Sequence, residues 1–295
     1  MSISAQQVKE LRERTGLGMM ECKAALTETH GDMEAATDLL RKRAGAKVEK
    51  KSGRIAVEGA IGIYVSADRK LAAMVEVNSE TDFVAKGDDF AVFAAAVAAG
   101  VANDRPVDVE SLYKLPFQGG APLTVAQARE GLVMKLGENI NIRRFEHLAA
   151  GKGHVGSYLH ARKIGVLVEV EGGDENLAKD ISMHIAASRP EYVSANQVPA
   201  AAVAKEKEIF AEQAKASGKP PEIIEKMVMG RVSKYLNEIT LLGQPFVKDP
   251  DTTVEKLLKS KGASVVRFSR FEVGEGMEKK SGDFAAEVLA TVKGA

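Results

Sequence analysis

The sequence predicts an α+β protein in which helical segments flank and interrupt two small sheets. The first 44 residues place apolar side chains at helical spacing, whereas from Val57 onwards the apolar residues alternate as they do in strands. A second strand-forming stretch, from residue 154, repeats the pattern of the first and is interrupted by a long helical segment. A chain of 295 residues is long enough to give several such units a core of their own.

The composition is that of a globular protein without an excess of either charge. Lys+Arg and Asp+Glu both number 41, so the chain gives no reason to expect nucleic acid as a direct partner. No apolar run approaches the roughly 20 residues that span a bilayer, and the first residues lack the features of a secretory signal. A single cysteine, Cys22, leaves no internal disulfide. We therefore expect a cytoplasmic protein with no membrane partner.

Residues 2–44 are predicted to form a bundle of three short helices. Ser4 and Gln7 have the spacing of a capping box, and Asp32 can cap the third helix. A bundle this small has a thin core, so its helices also offer a docking surface. The basic residues 45–54 that follow are predicted to be a flexible tether. Nucleic-acid binding by their lysines and arginines is the alternative, which the absence of aromatic residues disfavours.

A strand-to-helix corner follows the second strand of the first sheet. Residues 74–77 alternate as a strand, residues 78–79 are polar turn formers, and Thr81 is a good N-cap with Asp82 in the first helical turn. Phe83 therefore falls at the corner, beside a carboxylate. Two interpretations are open: Phe83 turns inward and anchors the helix on the sheet, or Asp82 and Phe83 project outward as a charged, apolar wedge for a partner.

The two strand-forming stretches, residues 60–79 and 154–173, are similar in sequence. Gly62 and Tyr64 of the first correspond to Gly156 and Tyr158 of the second. Each hairpin is followed by a predicted helix and a closing strand: residues 90–98 and 140–146 in the first unit, residues 177–187 and 265–273 in the second. The pattern predicts two duplicated β-β-α-β core units, each with helices on one face of its sheet.

Further helices are predicted within both units and after them. The first unit gains helices over residues 109–115 and 125–136, capped by Asp108 and Thr124 and joined by a loop at residues 119–122. The second is interrupted by helices over residues 199–217 and 221–242, whose apolar stripes predict an antiparallel helical hairpin, or coiled coil. The remaining helices are predicted over residues 253–260 and 282–292, the last capped by Ser281.

No residue pattern points to catalysis, to a metal or to a cofactor. The glycines form no phosphate-binding loop, and the five histidines lack metal-ligand spacing. An enzyme could use Glu80, Asp82 or Asp88 as acid and base, but no second convergent group accompanies them. His160 lies at a hairpin turn and Lys23 on a predicted helix face, where both would ordinarily be solvated surface residues.

Several long blocks of the sequence resemble bacterial elongation factor Ts, the guanine nucleotide exchange factor of elongation factor Tu. The sequence TDFV follows the strand VEVN, and the N-terminal block is VKELRERTGLGMMECKAAL. The similarity continues in the blocks GENINIRRFE, GKPPEIIEKMVMGR, GQPFVKDP, RFEVGEG and DFAAEV. The resemblance therefore extends over essentially the whole chain.

The resemblance implies a function in which Thr81, Asp82, Phe83 and Val84 form an exchange wedge. The wedge would displace Mg²⁺ from elongation factor Tu, promote GDP release and GDP/GTP exchange, and stabilise the nucleotide-free partner, without substrate turnover. Lys23 and His160 become candidate partner contacts, although the charged residues 162–163 depart from the family pattern after the histidine.

The resemblance also implies a role for each remaining unit. The N-terminal bundle would be UBA-like and would dock on the nucleotide-binding domain of the partner, on which the last helix would also lean. The helical hairpin would contact the partner or support a homodimer or a 2:2 complex. The expected units are an N-terminal bundle with linker, a first core unit, a second core unit in two parts, a hairpin inserted between those parts, and a C-terminal helical module: residues 1–54, 55–153, 154–192 with 242–276, 193–241, and 277–295.

Overall fold

The computed structural model describes residues 3–118, 123–215 and 219–277, except the side chains of residues 46 and 47. Helices and strands both make up large parts of it, which confirms the α+β class. The predicted loop at residues 119–122, the turn between the two hairpin helices at residues 216–218, and the last helix with its cap Ser281 lie outside the described residues. No helix within the described ranges is long and apolar enough to cross a membrane.

Three helices open the chain: α1 (Ala5–Thr15), α2 (Met19–Glu28) and α3 (Met33–Ser52). The predicted capping box at Ser4 is confirmed, with hydrogen bonds in both directions between Ser4 and Gln7. Asp32 caps α3 as predicted, accepting a hydrogen bond from Ala35 N. The helices enclose a small core of their own, made chiefly of buried apolar side chains: Val8, Leu11, Leu17, Cys22, Leu26 and Leu40.

The first sheet is antiparallel, with its second strand in the middle: β1 (Glu58–Val65), β2 (Leu71–Ser79) and β3 (Asn141–Ala149). β2 continues through Ser79 instead of breaking at residue 78 as predicted, because Asn78 and Ser79 still pair with β1. Helices lie between β2 and β3: α4 (Asp82–Lys86), α5 (Asp88–Asp104), α6 (Val109–Lys114) and α7 (Val125–Leu136). The predicted capping box at Thr124 is confirmed.

The prediction of a flexible tether over residues 45–54 is wrong, because α3 continues into this segment as far as Ser52. Leu40, Ala44 and Val48 recur at four-residue spacing and are all buried, so one face of the extended helix has an apolar surface to cover. Val48 joins the core of the first sheet, and α3 packs against α7. Lys50 and Lys51, two of the basic residues that suggested a tether, belong to the last turn of this helix.

The second sheet has the same antiparallel order as the first: β4 (His154–His160), β5 (Ile164–Glu171) and β8 (Ser264–Glu272). Helix α8 (Glu175–Ser188) packs against β4 and β5. The remaining elements between β5 and β8 are α9 (Ala200–Lys215), α10 (Pro221–Ile239), β6 (Pro245–Phe246), β7 (Asp249–Thr253) and α11 (Val254–Ser260). In both sheets a glycine of the first strand lies against the covering helix. A Cβ on Gly62 would come within 2.4 Å of Ala94 O, and one on Gly156 within 2.7 Å of Ala178 O.

Helices α9 and α10 pack against each other as an antiparallel pair. The rings of Phe210 and Tyr235 meet edge to face with centroids 6.5 Å apart, and Val228 is buried nearby. α10 ends at Ile239, three residues before the predicted end at residue 242. Packing explains the difference. The chain leaves the helix after Ile239, and Leu241 is fully buried in the core of the second sheet.

The two sheets pack against each other through reciprocal contacts. Ile61 N, in β1, donates to Arg162 O at the hairpin turn of the second sheet over 2.7 Å. Val155 N, in β4, donates to Arg69 O at the hairpin turn of the first over 2.9 Å. An apolar core lies between the sheets: Ile61, Ala72, Met74, Leu148, Val155 and Leu167. This packing places the turn after His160 against the first sheet.

Candidate protein-binding site

The corner between β2 and α4 is fixed by the capping residue Thr81. Its hydroxyl accepts a hydrogen bond from Val84 N over 3.4 Å, which is the N-cap interaction that the sequence predicts. The same hydroxyl donates to Glu138 Oε1 over 2.5 Å, and Thr81 N donates to Glu138 Oε2 over 2.9 Å. The first turn of α4 therefore begins from a residue whose backbone and side chain are both held.

Phe83 projects from α4 into solvent, with 83% of its surface exposed. The inward interpretation is therefore excluded. The position beneath α4 is occupied by Ala85, which is buried in the core of the first sheet. Residues two apart on a helix lie on nearly opposite faces, so Ala85 inside requires Phe83 outside. Val84 lies between these two faces and packs partly against the same core.

Asp82 carries a negative charge next to this ring. Its carboxylate is partly exposed and forms an ion pair with Lys86, one turn later, over 2.6 Å. The hydrogen bond from Lys86 is the main cause of a lowered pKa for Asp82, and the charges of Lys86 and Lys163 add to it. Lys163 belongs to the hairpin turn of the second sheet, where it also contacts Glu58 Oε2 over 2.6 Å. That turn therefore lies within electrostatic range of Asp82.

His160 is the last residue of β4 and is exposed, next to this turn. Tyr158 supports it: the two rings stack with centroids 6.1 Å apart, and the tyrosine hydroxyl lies 3.2 Å from His160 Nδ1. Ala161 and Arg162 have positive φ angles of 47° and 58°, and Lys163 N donates to His160 O over 2.8 Å, so these two residues form the centre of a tight β-turn. The structure thus brings His160 to the side of the molecule that carries the Asp82–Phe83 corner.

Lys23 lies elsewhere, on the exposed side of α2. It shares a shallow groove of the N-terminal bundle with Met19 and Met20, which are 59% and 75% exposed. Lys9 and Arg12 of α1 also line this groove. The sequence-predicted residues therefore form two surfaces: one around Thr81–Val84 and the His160 turn, and a second around Lys23.

Sequence reasoning missed three residues that shape the corner: Glu138, Lys86 and Lys163. Lys86 could have been found, because a lysine four residues after an aspartate in a helix is placed for an ion pair. Glu138 gives no such signal, since it lies 57 residues from Thr81 and is brought there by the pairing of β2 with β3. Lys163 comes from the other sheet altogether.

The carboxylates of this region are each engaged separately. Glu80 Oε1 accepts from Asn139 N over 2.6 Å, whereas Asp82 is paired with Lys86. Over the described part of the chain, no group of three or more histidine, cysteine, aspartate or glutamate side chains is arranged to hold a metal ion. What the corner presents is an exposed aromatic ring and a fixed negative charge on a capped helix.

An exposed aromatic ring beside a charge, on a protein of two packed sheets flanked by helices, is the kind of surface through which proteins bind one another. A family model described as "Elongation factor TS" matches residues 80–275. Elongation factor Ts of Methylococcus capsulatus is 62% identical over 293 residues, covering 99% of each chain. The proteins of the same name from Thioalkalivibrio sulfidiphilus and Legionella pneumophila are 60% and 52% identical, covering 100% and 99% of each chain. The chain belongs to the elongation factor Ts family, which confirms the resemblance identified from its sequence.

Proposed function

We propose that this protein is the guanine nucleotide exchange factor of elongation factor Tu and that Phe83 is the centre of its exchange wedge. Family membership supports the general role in translation elongation. The observation that best supports the mechanism is the 83% exposure of Phe83 on a helix whose N-cap residue, Thr81, is held by two hydrogen bonds to Glu138. Burying such a ring in a partner contributes about 1.5–3 kcal/mol.

The mechanism follows from how GTPases hold their nucleotide. Mg²⁺ and backbone amides around the phosphates supply most of the grip. A factor that binds the nucleotide-free shape more tightly must weaken nucleotide binding by the same factor, because linkage is reciprocal. Phe83 inserts between helices of elongation factor Tu near the Mg²⁺ site, and Asp82 acts on the groups that position the water ligands of the metal. Thr81 and Val84 hold the wedge, and the protein turns over no substrate of its own.

The other predicted contacts secure the complex. Lys23, beside the exposed Met19 and Met20, offers a charged and apolar surface on the N-terminal bundle, which we propose to be a UBA-like docking module. His160 adds a contact from the second sheet, close to the wedge. The C-terminal module, residues 277–295, completes the grip on the nucleotide-binding domain. We place this activity in the cytoplasm.

The architecture proposed from the sequence is a duplicated core with an inserted hairpin. The identical strand order of the two sheets and the matching close contacts of Gly62 and Gly156 support the duplication. The hairpin of α9 and α10 keeps Ile209, Ile223 and Met229 exposed, between 39% and 62%. These side chains support a role for the hairpin in a homodimer, a 2:2 complex or a further contact with the partner.

The test is release of fluorescently labelled GDP from elongation factor Tu, with and without this protein. We expect release to accelerate with increasing concentration of the protein and to reach a plateau, with excess unlabelled GDP preventing rebinding. GDP itself should be recovered unchanged. Unaltered release under a large excess of folded protein would refute the proposed function.

A further inference from the structure

The N-cap of the helix that carries Phe83 is hydrogen-bonded by a residue from a distant part of the sequence, Glu138. We propose that Glu138 is a positioning residue for nucleotide exchange: it fixes the N-cap Thr81 and through it aims Asp82 and Phe83. This inference rests on the proposed function, because it assigns a role within the same exchange site. Glu138 lies between α7 and β3, and it acts through Thr81.

The geometry at Glu138 is that of a two-point clamp. One carboxylate oxygen accepts from the backbone N–H of Thr81 and the other from its hydroxyl, over 2.9 and 2.5 Å. Hydrogen bonds to an ionised carboxylate are shorter and about twice as strong as neutral ones. Because the hydroxyl proton points to Glu138, a lone pair of the same oxygen is left to accept from Val84 N. The carboxylate thereby orients the cap as well as holding it.

A second bond of the same kind runs in the opposite direction. Glu80, just before the cap, accepts from Asn139 N over 2.6 Å, and Asn139 follows Glu138. Each of the two segments thus gives a carboxylate to a backbone N–H of the other. The Asn139 side chain also donates to Ser52 O and Arg54 O, over 3.3 and 2.8 Å, and so ties the corner to the end of α3. Within this network Glu138 is the member that touches the helix cap.

The clamp matters because α4 is only five residues long. A helix of that length has too few internal hydrogen bonds to hold its own conformation in water, so its direction depends on its cap and on packing. A displacement of about 1 Å at a reacting group can cost up to about 100-fold in rate. Loosening the cap should therefore reduce the maximal exchange rate while contacts elsewhere still form the complex.

The experiment measures labelled-GDP release from elongation factor Tu over a range of concentrations of the full-length protein. The maximal rate and the half-saturating concentration are obtained separately. For Glu138→Gln, we expect the maximal rate to fall about tenfold with the half-saturating concentration changed by less than about twofold. Thr81→Val should behave in the same way, and it replaces Glu138→Gln if that variant does not fold. Thr81→Ser, which keeps the hydroxyl, should lose less of the maximal rate than Thr81→Val.

The matched control is Asp174→Ala, which removes a cap of the same kind in the second sheet. Asp174 caps α8 by accepting from Leu177 N over 2.8 Å. This variant should lower the melting temperature without lowering the maximal exchange rate. A loss of rate in Asp174→Ala as large as in Glu138→Gln would show a general effect of lost stability and would overturn the positioning role.

The double variant Glu138→Gln/Phe83→Ala distinguishes a failure of the inference about Glu138 from a failure of the proposed function. If Glu138 acts by aiming Phe83, Glu138→Gln should lower the rate by less than about twofold in the Phe83→Ala protein, because contacts that act as one unit are not additive. A full tenfold loss in both backgrounds would overturn the inference. A normal rate for Glu138→Gln beside a reduced rate for Phe83→Ala would also overturn it and leave the proposed function standing. A normal rate for Phe83→Ala would instead refute the wedge itself.

Discussion

Replacement of Phe83 by alanine gives the sharpest test of the site. The structure leaves 83% of this residue exposed, so folding removes only the remaining 17% (100 − 83) from water. Full burial of a phenylalanine side chain is worth about 1.5–3 kcal/mol, and the corresponding fraction is about 0.3–0.5 kcal/mol. The substitution should therefore lower the free energy of unfolding by no more than about 0.5 kcal/mol, as surface changes usually do.

The functional effect should be much larger than the effect on stability. If the ring is buried only in the nucleotide-free complex, its loss removes about 1.5–3 kcal/mol from that state alone. Each 1.36 kcal/mol corresponds to a factor of ten in rate, so release of GDP should slow by about 10- to 100-fold at saturation. The variant should still bind elongation factor Tu through its remaining contacts.

Phe90→Ala is the matched control, because it is the same substitution seven residues later. Phe90 is fully buried between α5 and the first sheet, and its loss should cost about 3–5 kcal/mol of stability. Thermal melting, complex formation by size exclusion and labelled-GDP release would be measured on wild type and both variants. A Phe83→Ala protein that melts as early as Phe90→Ala, yet exchanges normally while folded, would refute the outward wedge.

Three further outcomes are expected. Asp82→Ala should also slow GDP release, but less than Phe83→Ala, because it removes a charge and leaves the ring in place; the same release assay measures it. Deletion of residues 200–239 should abolish any self-association seen by light scattering and leave Leu241 in the second core, whereas an unchanged dimer would exclude the hairpin from that role. Burial lowers the pKa of His184 below its ordinary 6.5 in spite of its bond to Gln244. The unfolded chain therefore takes up the proton first, so stability should be full above about pH 6.5 and decline as the pH falls towards the folded pKa. Urea unfolding at pH 7.5 and 5.5 measures this, and His184→Gln should reduce the decline; an equal decline in that variant would contradict the reasoning.

The parts of the fold that could be predicted are those that local chemistry decides. The capping boxes at Ser4 and Thr124 and the cap at Thr81 each need only residues three positions apart. The extension of α3 could not be predicted in this way. Its last turns are held by contacts with residues far along the chain, such as the hydrogen bond from Lys51 Nζ to Gly137 O. Apolar residues at four-residue spacing were the available signal, and the basic residues around them obscured it.

In the candidate site, too, the features set by neighbouring residues could be predicted, and those set by contacts between distant residues could not. The sequence predicts a phenylalanine at a strand-to-helix corner, but the position alone leaves open whether the ring points in or out. The answer depends on which side chain fills the space under α4, and Ala85 fills it. The clamp by Glu138 and the approach of Lys163 depend on how strands pair and how the two sheets pack, so spacing along the chain does not reveal them.

The contact between the two sheets contains two copies of the same arrangement, in which a glutamate of one sheet accepts hydrogen bonds from an arginine of its own sheet and from a backbone N–H beyond the last strand of the other sheet. Glu76 in β2 is fully buried and accepts from Arg144 Nε and from Gly274 N, over 2.6 and 2.8 Å. Gly274 lies two residues beyond β8, in the other sheet. Burial acts to raise the pKa of Glu76, but the bonds from Gly274 and Arg144 outweigh it, so the pKa is lowered and the carboxylate stays charged at neutral pH.

The second copy of this arrangement is built from Glu169 in β5. It accepts from Arg267 Nε over 2.9 Å and from the N–H of Gly151, two residues beyond β3, over 2.7 Å. Each sheet thus binds the end of the other, as the two copies do in a symmetric dimer, which supports the proposed duplication. This contact links the sheet that carries the Phe83 corner to the sheet that carries the His160 turn. In the proposed mechanism, contacts made by the second sheet can then be used at Phe83, because binding energy gained away from a strained site can drive its distortion.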